Sequence, residues 1–465
     1  MAIDLLHALA EGNHQTYLHP ASLEELRHDK NETRRKAREL LISKYLVLPT
    51  SPAVSDRLKS AMGLVREGSH DAVDQTLLAA VEANAVDYLV TSDRGLISKS
   101  ARAGLRERVA TPAEAVAAVR GLFRITPALP PAVRGILAYE LNEADPIFNS
   151  LRTDYPDFDS WLTKCKREHR QAWVISNANG SYAAITIVKA ENSGEYTLGG
   201  NLLKICSFKI SDHSRGYRFG ELILKTLFNY SYANGFDHLC VEIFLKYTDA
   251  ISLFEDFGFK VLDKKTNKGE LVLAKPMTFS REDYASHGPL EFNIRFGPRQ
   301  IKLSGATAFV VPIIPEYHRL LFPELEEQQS LMPGQDPFGN SIRKAYLCHA
   351  PIRSIQPGDA LLFYRSEDER GITCIGVAEK TLVSSDVNEI ARFVGKRTVY
   401  SYAEIKKMTS KTVLAILFRL ARLLDDPLSL DSLMKHAILT AAPRSIVTVK
   451  EEGIAWLRER LELWP

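Results

Sequence analysis

The sequence predicts an α/β multidomain chain, and three observations carry that expectation. Its 465 residues exceed one ordinary hydrophobic core and, at roughly 150 residues per domain, suggest about three. Two proline-bearing stretches, "ITPALPPAVRG" (125–135) and "KPMTFSREDYASHGPLEFN" (275–293), break the run of apolar strands and amphipathic helices. Across those breaks the pattern changes from alanine-rich helices, to a strand-rich middle, to many short strands. The expected domains are 1–124, 127–280 and 285–465.

Composition narrows the function. Hydrophobic residues make up 45% and charged residues 25%, as in soluble globular proteins, and no apolar run approaches the ~20 residues that span a bilayer. No membrane partner is expected. A formal net charge of +2 cannot draw a polyanion to the whole chain, so any nucleic-acid surface has to be a local patch. Cys165, Cys206, Cys240, Cys348 and Cys374 are scattered and form no CxxC pair, which fits a reducing, cytoplasmic location. The opening "MAIDLLHALAEG" reads as an amphipathic helix rather than a signal peptide.

In the first domain "TYLHP", "VDYLVTS" and "RVATP" read as strands, each followed by a helical pattern. That order predicts a parallel sheet with ligands at the carboxyl ends of its strands. The stretches "YLHPASLEELRHDKNETRRKA", "HDAVDQTLLAAVEANAVDYLVTSDRGL" and "VATPAEAV" resemble a PIN-domain nuclease. The resemblance implies that Glu25 (with Glu24 as near equivalent), Asp74 (with Asp71 as alternative) and Asp93 hold Mg2+ or Mn2+ for phosphodiester hydrolysis. Carboxylate oxygens suit such hard ions. The family's first strand, which ends in an aspartate, is missing here, and Asp4 lies in a helical pattern, so either the true start lies upstream or the domain has lost that strand and one metal ligand. The run "RHDKNETRRKAR" interleaves Arg27, Lys30, Arg34, Arg35 and Lys36 with acids on a helix, a face that either holds phosphates or is merely solvated.

The middle domain reads as strand, helices, strands "QAWVISN", "YAAITIVKA" and "LLKICSFKI", then a turn into a long helix, strand "HLCVEIFL", helix "DAISLFEDFGF" and a final strand. The turn "SDHSRGYRFGEL" carries glycines straight into a helix, where free N–H groups favour an anion. This order, with "RGYRFGELIL" and "ISLFEDFGF", resembles the GNAT acetyltransferases. Their motif Q/R-x-x-G-x-G/A is filled by Arg215, Gly216, Tyr217, Arg218, Phe219 and Gly220, with Arg218 where glycine is usual. The resemblance implies an acetyl-CoA pyrophosphate on the backbone of this turn, with Arg218 adding a charge-assisted contact. The family's proton-donating tyrosine falls at Phe254, which has no proton to give. Tyr247 is the expected substitute and Glu242 the expected base acting through water; the plain alternatives are a packing tyrosine and a solvated carboxylate.

The last domain is expected to be a small β-barrel with added helices: strands "DALLFYRS" and "GITCIGVAEKTLV", and helix "TVLAILFRLARLL". The stretch "IQPGDALLFYRSEDERGITCIGVAEKTLV" resembles PUA-like folds of the ASCH and EVE groups, which implies a pocket for a nucleotide, often a modified one. In "GKRTVYSYAEI", Lys396, Arg397 and Tyr400 are the expected nucleic-acid contacts, whereas Phe363 and Tyr364 are expected in the core. Taken together, the chain is expected to be an acetyl-CoA-dependent N-acetyltransferase acting on RNA, DNA or a nucleic-acid-associated substrate. The rivals are a metal-dependent PIN ribonuclease whose middle domain senses acetyl-CoA, and a non-catalytic RNA-binding regulator.

Overall fold

The computed structural model describes residues 14–27, 45–63, 68–123, 132–177, 179–192, 198–214, 216–327 and 341–462, with isolated positions before and between these ranges. Most of the expected N-terminal helix lies outside the described residues, as do Asp4, Lys30, Arg34 and Lys36. The chain divides into two compact units, Met1–Phe123 and Arg124–Pro465. Among the described residues no helix is long and apolar enough to cross a membrane.

The first unit runs β1 (Tyr17–Leu18), α1 (Pro20–Arg27), β2 (Leu46–Val47), α2 (Asp56–Met62), α3 (His70–Glu82), β3 (Leu89–Val90), α4 (Arg94–Arg102), β4 (Val109–Ala110) and α5 (Pro112–Phe123). The three strands read from sequence are present and parallel pairing is observed, as β1 with β2 and β3 with β4. Among the described residues these form two separate two-stranded ladders, not one sheet. Leu58, Leu78, Val81, Leu96 and Val109 make the local core.

The second unit opens with β5 (Arg134–Leu137), α6 (Asn149–Asp154), α7 (Phe158–Arg167), β6 (Gln171–Ser176), β7 (Tyr182–Asn192) and β8 (Asn201–Ile210). It continues with α8 (Phe219–Ala233), β9 (His238–Ile243), α9 (Thr248–Asp256), β10 (Lys260–Lys265) and β11 (Leu271–Pro276). The seven strands pair in the order β10-β11-β9-β8-β7-β6-β5. Only β8 and β9 run parallel, because the α8 crossover returns the chain to the same end of the sheet. Strand alternation sorts the side chains: Leu203, Ile205, Leu239, Val241 and Ile243 pack with α8 and α9, while Leu202, Cys240, Val272 and Ala274 face the other way, around Tyr196. Burying Ile223, Leu224, Leu227 and Phe228 of α8 contributes about 1.5–3 kcal/mol each.

Linker helices α10 (Arg281–Ser286) and α11 (Pro289–Phe296) lead to β12 (Ala308–Ile313), α12 (Pro315–Leu321), α13 (Glu324–Glu327), β13 (Arg343–Cys348), β14 (Ala360–Arg365) and β15 (Gly371–Ser384). Then follow α14 (Val387–Val394), α15 (Tyr402–Met408), β16 (Val413–Ser429), α16 (Leu430–Lys435), β17 (Val447–Thr448) and α17 (Glu451–Leu461). Two expectations are corrected here. The six strands form an open sheet, β13-β16-β15-β14-β12-β17, rather than a closed barrel, with β13 and β17 at its margins. "TVLAILFRLARLL" is not a helix but part of β16, whose residues 413–421 are all buried. A strand covered on both faces loses its alternation and reads as an unbroken apolar run. Phe363 and Tyr364 lie in the core as expected.

The linker is locked to the first sheet of this unit. The buried Lys275 ammonium donates to the Ile294 and Arg295 carbonyls at 2.9 and 2.7 Å, and Gly258 lies so close that a Cβ would sit 2.0 Å from the Ile294 oxygen. Gly258 also has φ +84°, where a side chain is strained. Gly258→Val is therefore expected to lose at least about 2 kcal/mol, read as a lower midpoint in urea unfolding.

Candidate functional site

The ladder between β8 and β9 runs from Leu202 opposite His238 to Ile205 opposite Val241 and goes no further. Beyond it β8 stays with β7 as far as Ile210, and β9 stays with β11 as far as Ile243, so the two parallel strands part toward their carboxyl ends. The cause is a bulge. In the β7/β8 pairing Ile187 opposes Ser207 and Val188 opposes Ile205, which leaves Cys206 as the extra residue. A bulge bends its strand, and this one falls where contact with β9 stops. The fork leaves backbone groups of both strands without each other as partners, at the strand end where α/β folds hold ligands.

β8 leads directly from the fork into the turn singled out in the sequence. Arg215 lies outside the described residues; Gly216 has φ +90° and Arg218 has φ +60°. Arg218 thus takes the left-handed conformation natural to the glycine it replaces, at a cost on the order of 1–2 kcal/mol. Its guanidinium is turned inward, with Nε donating to Glu221 Oε2 at 2.8 Å, rather than displayed for a ligand. As the N-cap of α8 it makes no side-chain capping bond, and the first N–H groups of a helix have no acceptor within the helix itself. Tyr217 stacks on Phe219 with ring centroids 5.7 Å apart. Gly220 is a packing residue, because a Cβ there would meet Leu253 of α9 at 2.7 Å.

Glu242 sits just past the end of the β8/β9 ladder. Its Oε1 accepts from the Tyr196 hydroxyl at 2.6 Å and its Oε2 lies 2.9 Å from Lys204 Nζ, which also donates to the Tyr196 oxygen at 2.7 Å. Burial and the bond to Glu242 push the Tyr196 hydroxyl far above its ordinary range. Burial works against the Lys204 charge, but its bonds to Tyr196 and Glu242 outweigh it and raise the ammonium's pKa. Burial also pushes the Cys206 thiol up to about 12, so it is no thiolate nucleophile. Tyr247 is the N-cap residue of α9 and packs with the α8 core, on the face opposite Glu242, so the two expected catalytic residues are not brought together. Tyr196 and Lys204 were missed in the sequence. The available signal was a lysine in "LLKICSF" and a glutamate in "HLCVEIF", opposite charges set inside two apolar strands.

The same turn is anchored to the second sheet of the unit. Glu221 Oε1 accepts the Arg343 backbone N–H at 2.5 Å, and the Arg343 side chain reaches Asp256 at 3.0 Å and Glu379 at 3.1 Å. Glu379 also receives Arg397 and Arg419, each at 2.9 Å. Burial alone would raise the Glu379 pKa; the Arg343, Arg419 and Arg397 guanidiniums overcome it and hold it at about 2. This corrects the expected nucleic-acid contacts. Arg397 and Tyr400 are 7% and 2% exposed, the first spent on Glu379 and the second packed against Tyr317, while the Lys396 side chain lies outside the described residues.

In the first unit the expected metal ligands are each engaged by protein. Asp71 and Asp74 converge on the Lys99 ammonium, Asp93 caps α4 by accepting from the Gly95 and Leu96 N–H groups, and Glu25 Oε1 lies 2.7 Å from His70 Nδ1. The hydrogen bond from Lys99 holds the Asp71 pKa below its ordinary value. Among the described residues no group of three or more His, Cys, Asp or Glu side chains is placed to hold a metal ion. Among the described residues Asp71 and Asp74 thus face the positive charge of a lysine rather than further carboxylates.

No protein-family model and no curated protein matches this chain. Solved structures similar to it include ASCH from Zymomonas mobilis, at 14% identity over 34% of this chain and 98% of that one, with a TM-score of 0.26. A putative acyl-CoA N-acyltransferase from Klebsiella pneumoniae is similar at 16% identity over 31% of this chain and 97% of that one, with a TM-score of 0.23. An acetyltransferase of the GNAT family from Staphylococcus aureus has 11% identity over 31% of this chain and 99% of that one, with a TM-score of 0.25.

Glu379→Gln is expected to cost about 3–5 kcal/mol, because it leaves the buried Arg397 and Arg419 guanidiniums, and the partly exposed Arg343, without this carboxylate. The folded pKa lies below the ordinary 4.5, so the carboxylate's contribution is full above about 4.5 and is lost as pH falls toward 2. Urea unfolding followed at several acidic pH values checks both: the variant should start less stable and lose less between those limits.

Proposed function

We propose that the second unit transfers an acyl group from acyl-coenzyme A to an amine. The observation that carries the reading is the β8/β9 fork opening beside the uncapped first turn of α8. The parted strands offer backbone N–H and C=O groups to an amide-bearing pantetheine arm, and the α8 N–H groups, with the helix dipole behind them, suit its pyrophosphate. The bound thioester supplies an acyl carbonyl open to nucleophilic attack. Transfer forms a C–N bond and breaks a C–S bond, so one proton must leave the amine and one must reach the departing sulfur.

Glu242, at the fork, receives the amine's proton through water, oriented by Tyr196 and Lys204. Tyr247, just beyond β9 and on the face of the sheet away from Glu242, gives a proton to the thiolate across the gap where the strands part. Arg218 contributes by holding the turn through Glu221 rather than by touching phosphate. The buried Arg397 and Tyr400 give no support to a nucleic-acid acceptor, so the reading stops at a primary amine.

Calorimetry with acetyl-CoA tests the site. Tyr217→Glu, which sets a carboxylate in the turn without altering a glycine, is expected to weaken binding by roughly tenfold or more. Absence of heat from the unaltered protein would sink the proposal. In a thiol-release assay with simple primary amines, Glu242→Gln and Tyr247→Phe are each expected to slow turnover by roughly a hundredfold with acetyl-CoA affinity kept. Full activity in either variant would remove that residue's role.

A further inference from the structure

At the opposite end of the same sheet, where β9 and β10 begin and β11 ends, a cleft of about 570 Å³ lies between the strand ends and the linker helices α10 and α11. About 10 Å of β9, from His238 to Val241, separates it from the start of the fork. We propose that this cleft binds an organic phosphate, a phosphate ester small enough to be a metabolite or mononucleotide. The inference does not rest on the acyl-transfer reading.

The charges lining the cleft point one way. Lys260 and Arg295 are permanent cations, and His238 and His287 add two imidazoles. The carboxylate among them, Asp283, is already committed: it accepts from the Ser280 N–H at 2.9 Å and the Ser280 hydroxyl at 2.8 Å, as a capping box for α10. Arg295 uses one terminal nitrogen on the Gly258 and Ala274 carbonyls, at 2.6 and 3.2 Å, which fixes the guanidinium plane. Those partners are neutral dipoles, and the opposing charge is Asp283, whose pull on Arg295 is outweighed by burial. Burial lowers the proton affinity of Arg295 and of His238, so each gains from an anion that takes the place of lost water.

Phosphate meets these demands better than a carboxylate, because its oxygens can take donors from several directions at once and its second charge matches two fixed cations. The volume decides between a bare ion and an ester. Ligand pockets commonly measure about 300–1,000 Å³, so the space exceeds one phosphate group. Phe279 and Phe296 supply apolar wall for the organic part. Lys260 is exposed at the start of its strand and is free to reach over the mouth.

The test titrates the full chain, saturated with acetyl-CoA so that the α8 turn is blocked, with inorganic phosphate, glucose 6-phosphate and AMP. At least one ester is expected to bind more tightly than inorganic phosphate. Lys260→Glu is expected to weaken that binding by roughly tenfold or more, with unchanged thermal unfolding. His287→Gln gives a second reading should the first variant fold poorly, with a smaller loss in the same direction. If none of the three probes binds, or if both variants bind like the parent, the cleft is not a phosphate site. If the unaltered protein binds the esters only when acetyl-CoA is left out, they are using the turn, and the proposal fails while the acyl-transfer reading stands.

Discussion

Glu379 gathers three guanidinium groups in the interior of the second unit, and the arrangement of both sheets depends on it. A carboxylate this deep survives only because Arg343, Arg397 and Arg419 compensate its lost hydration. Arg343 then extends the network outward, to Asp256 at the end of α9 and, through its backbone, to Glu221 in the first turn of α8. The turn proposed to meet a pyrophosphate is thus held from behind by charges belonging to another sheet. A network of this kind specifies one arrangement, because any shift leaves a charge buried and unpaired.

Where no such compensation exists, the charge gives way. Lys344, beside Arg343 on β13, is 1% exposed; among the described residues its ammonium has no hydrogen-bond partner, and it lies 5.7 Å from the Phe322 ring centroid. Burial lowers its pKa to about 7, against the pull of Glu324. Neighbouring residues on one strand, Arg343 and Lys344, therefore take opposite courses, one paired and charged, the other poised to lose its proton. Lys275 shows a third solution, spending its donors on the carbonyls that end α11.

Local pattern carried much of the fold. Strands β6, β7, β8 and β9 and the helix between the last two were legible because their apolar runs are short and closed by turn residues. β16 was not, since burial on both faces erases the period that separates strand from helix. The turn at 216–220 was legible as a turn, but the roles of its residues were not: the inward aim of Arg218 depends on Glu221, and Gly220 answers to Leu253. Arg397 and Tyr400 misled for a related reason, since cations beside an aromatic look alike in sequence whether they meet phosphate or a buried glutamate. The acids of the first unit could not be judged without knowing that Lys99 stands between two of them.

The order of strands in the second sheet has a bearing on how the chain is made. β12 lies between β14, with which it is parallel, and β17, a two-residue strand that begins at Val447. During synthesis the outer edge of β12, with Phe309 and Val310, emerges more than a hundred residues before the segment that covers it. Until then it presents unpaired backbone on an apolar strand, a template for pairing with another nascent chain. Two residues made much later thus act as a latch on a hazard created earlier, and ribosomes spaced closely on one message would be where that hazard is greatest.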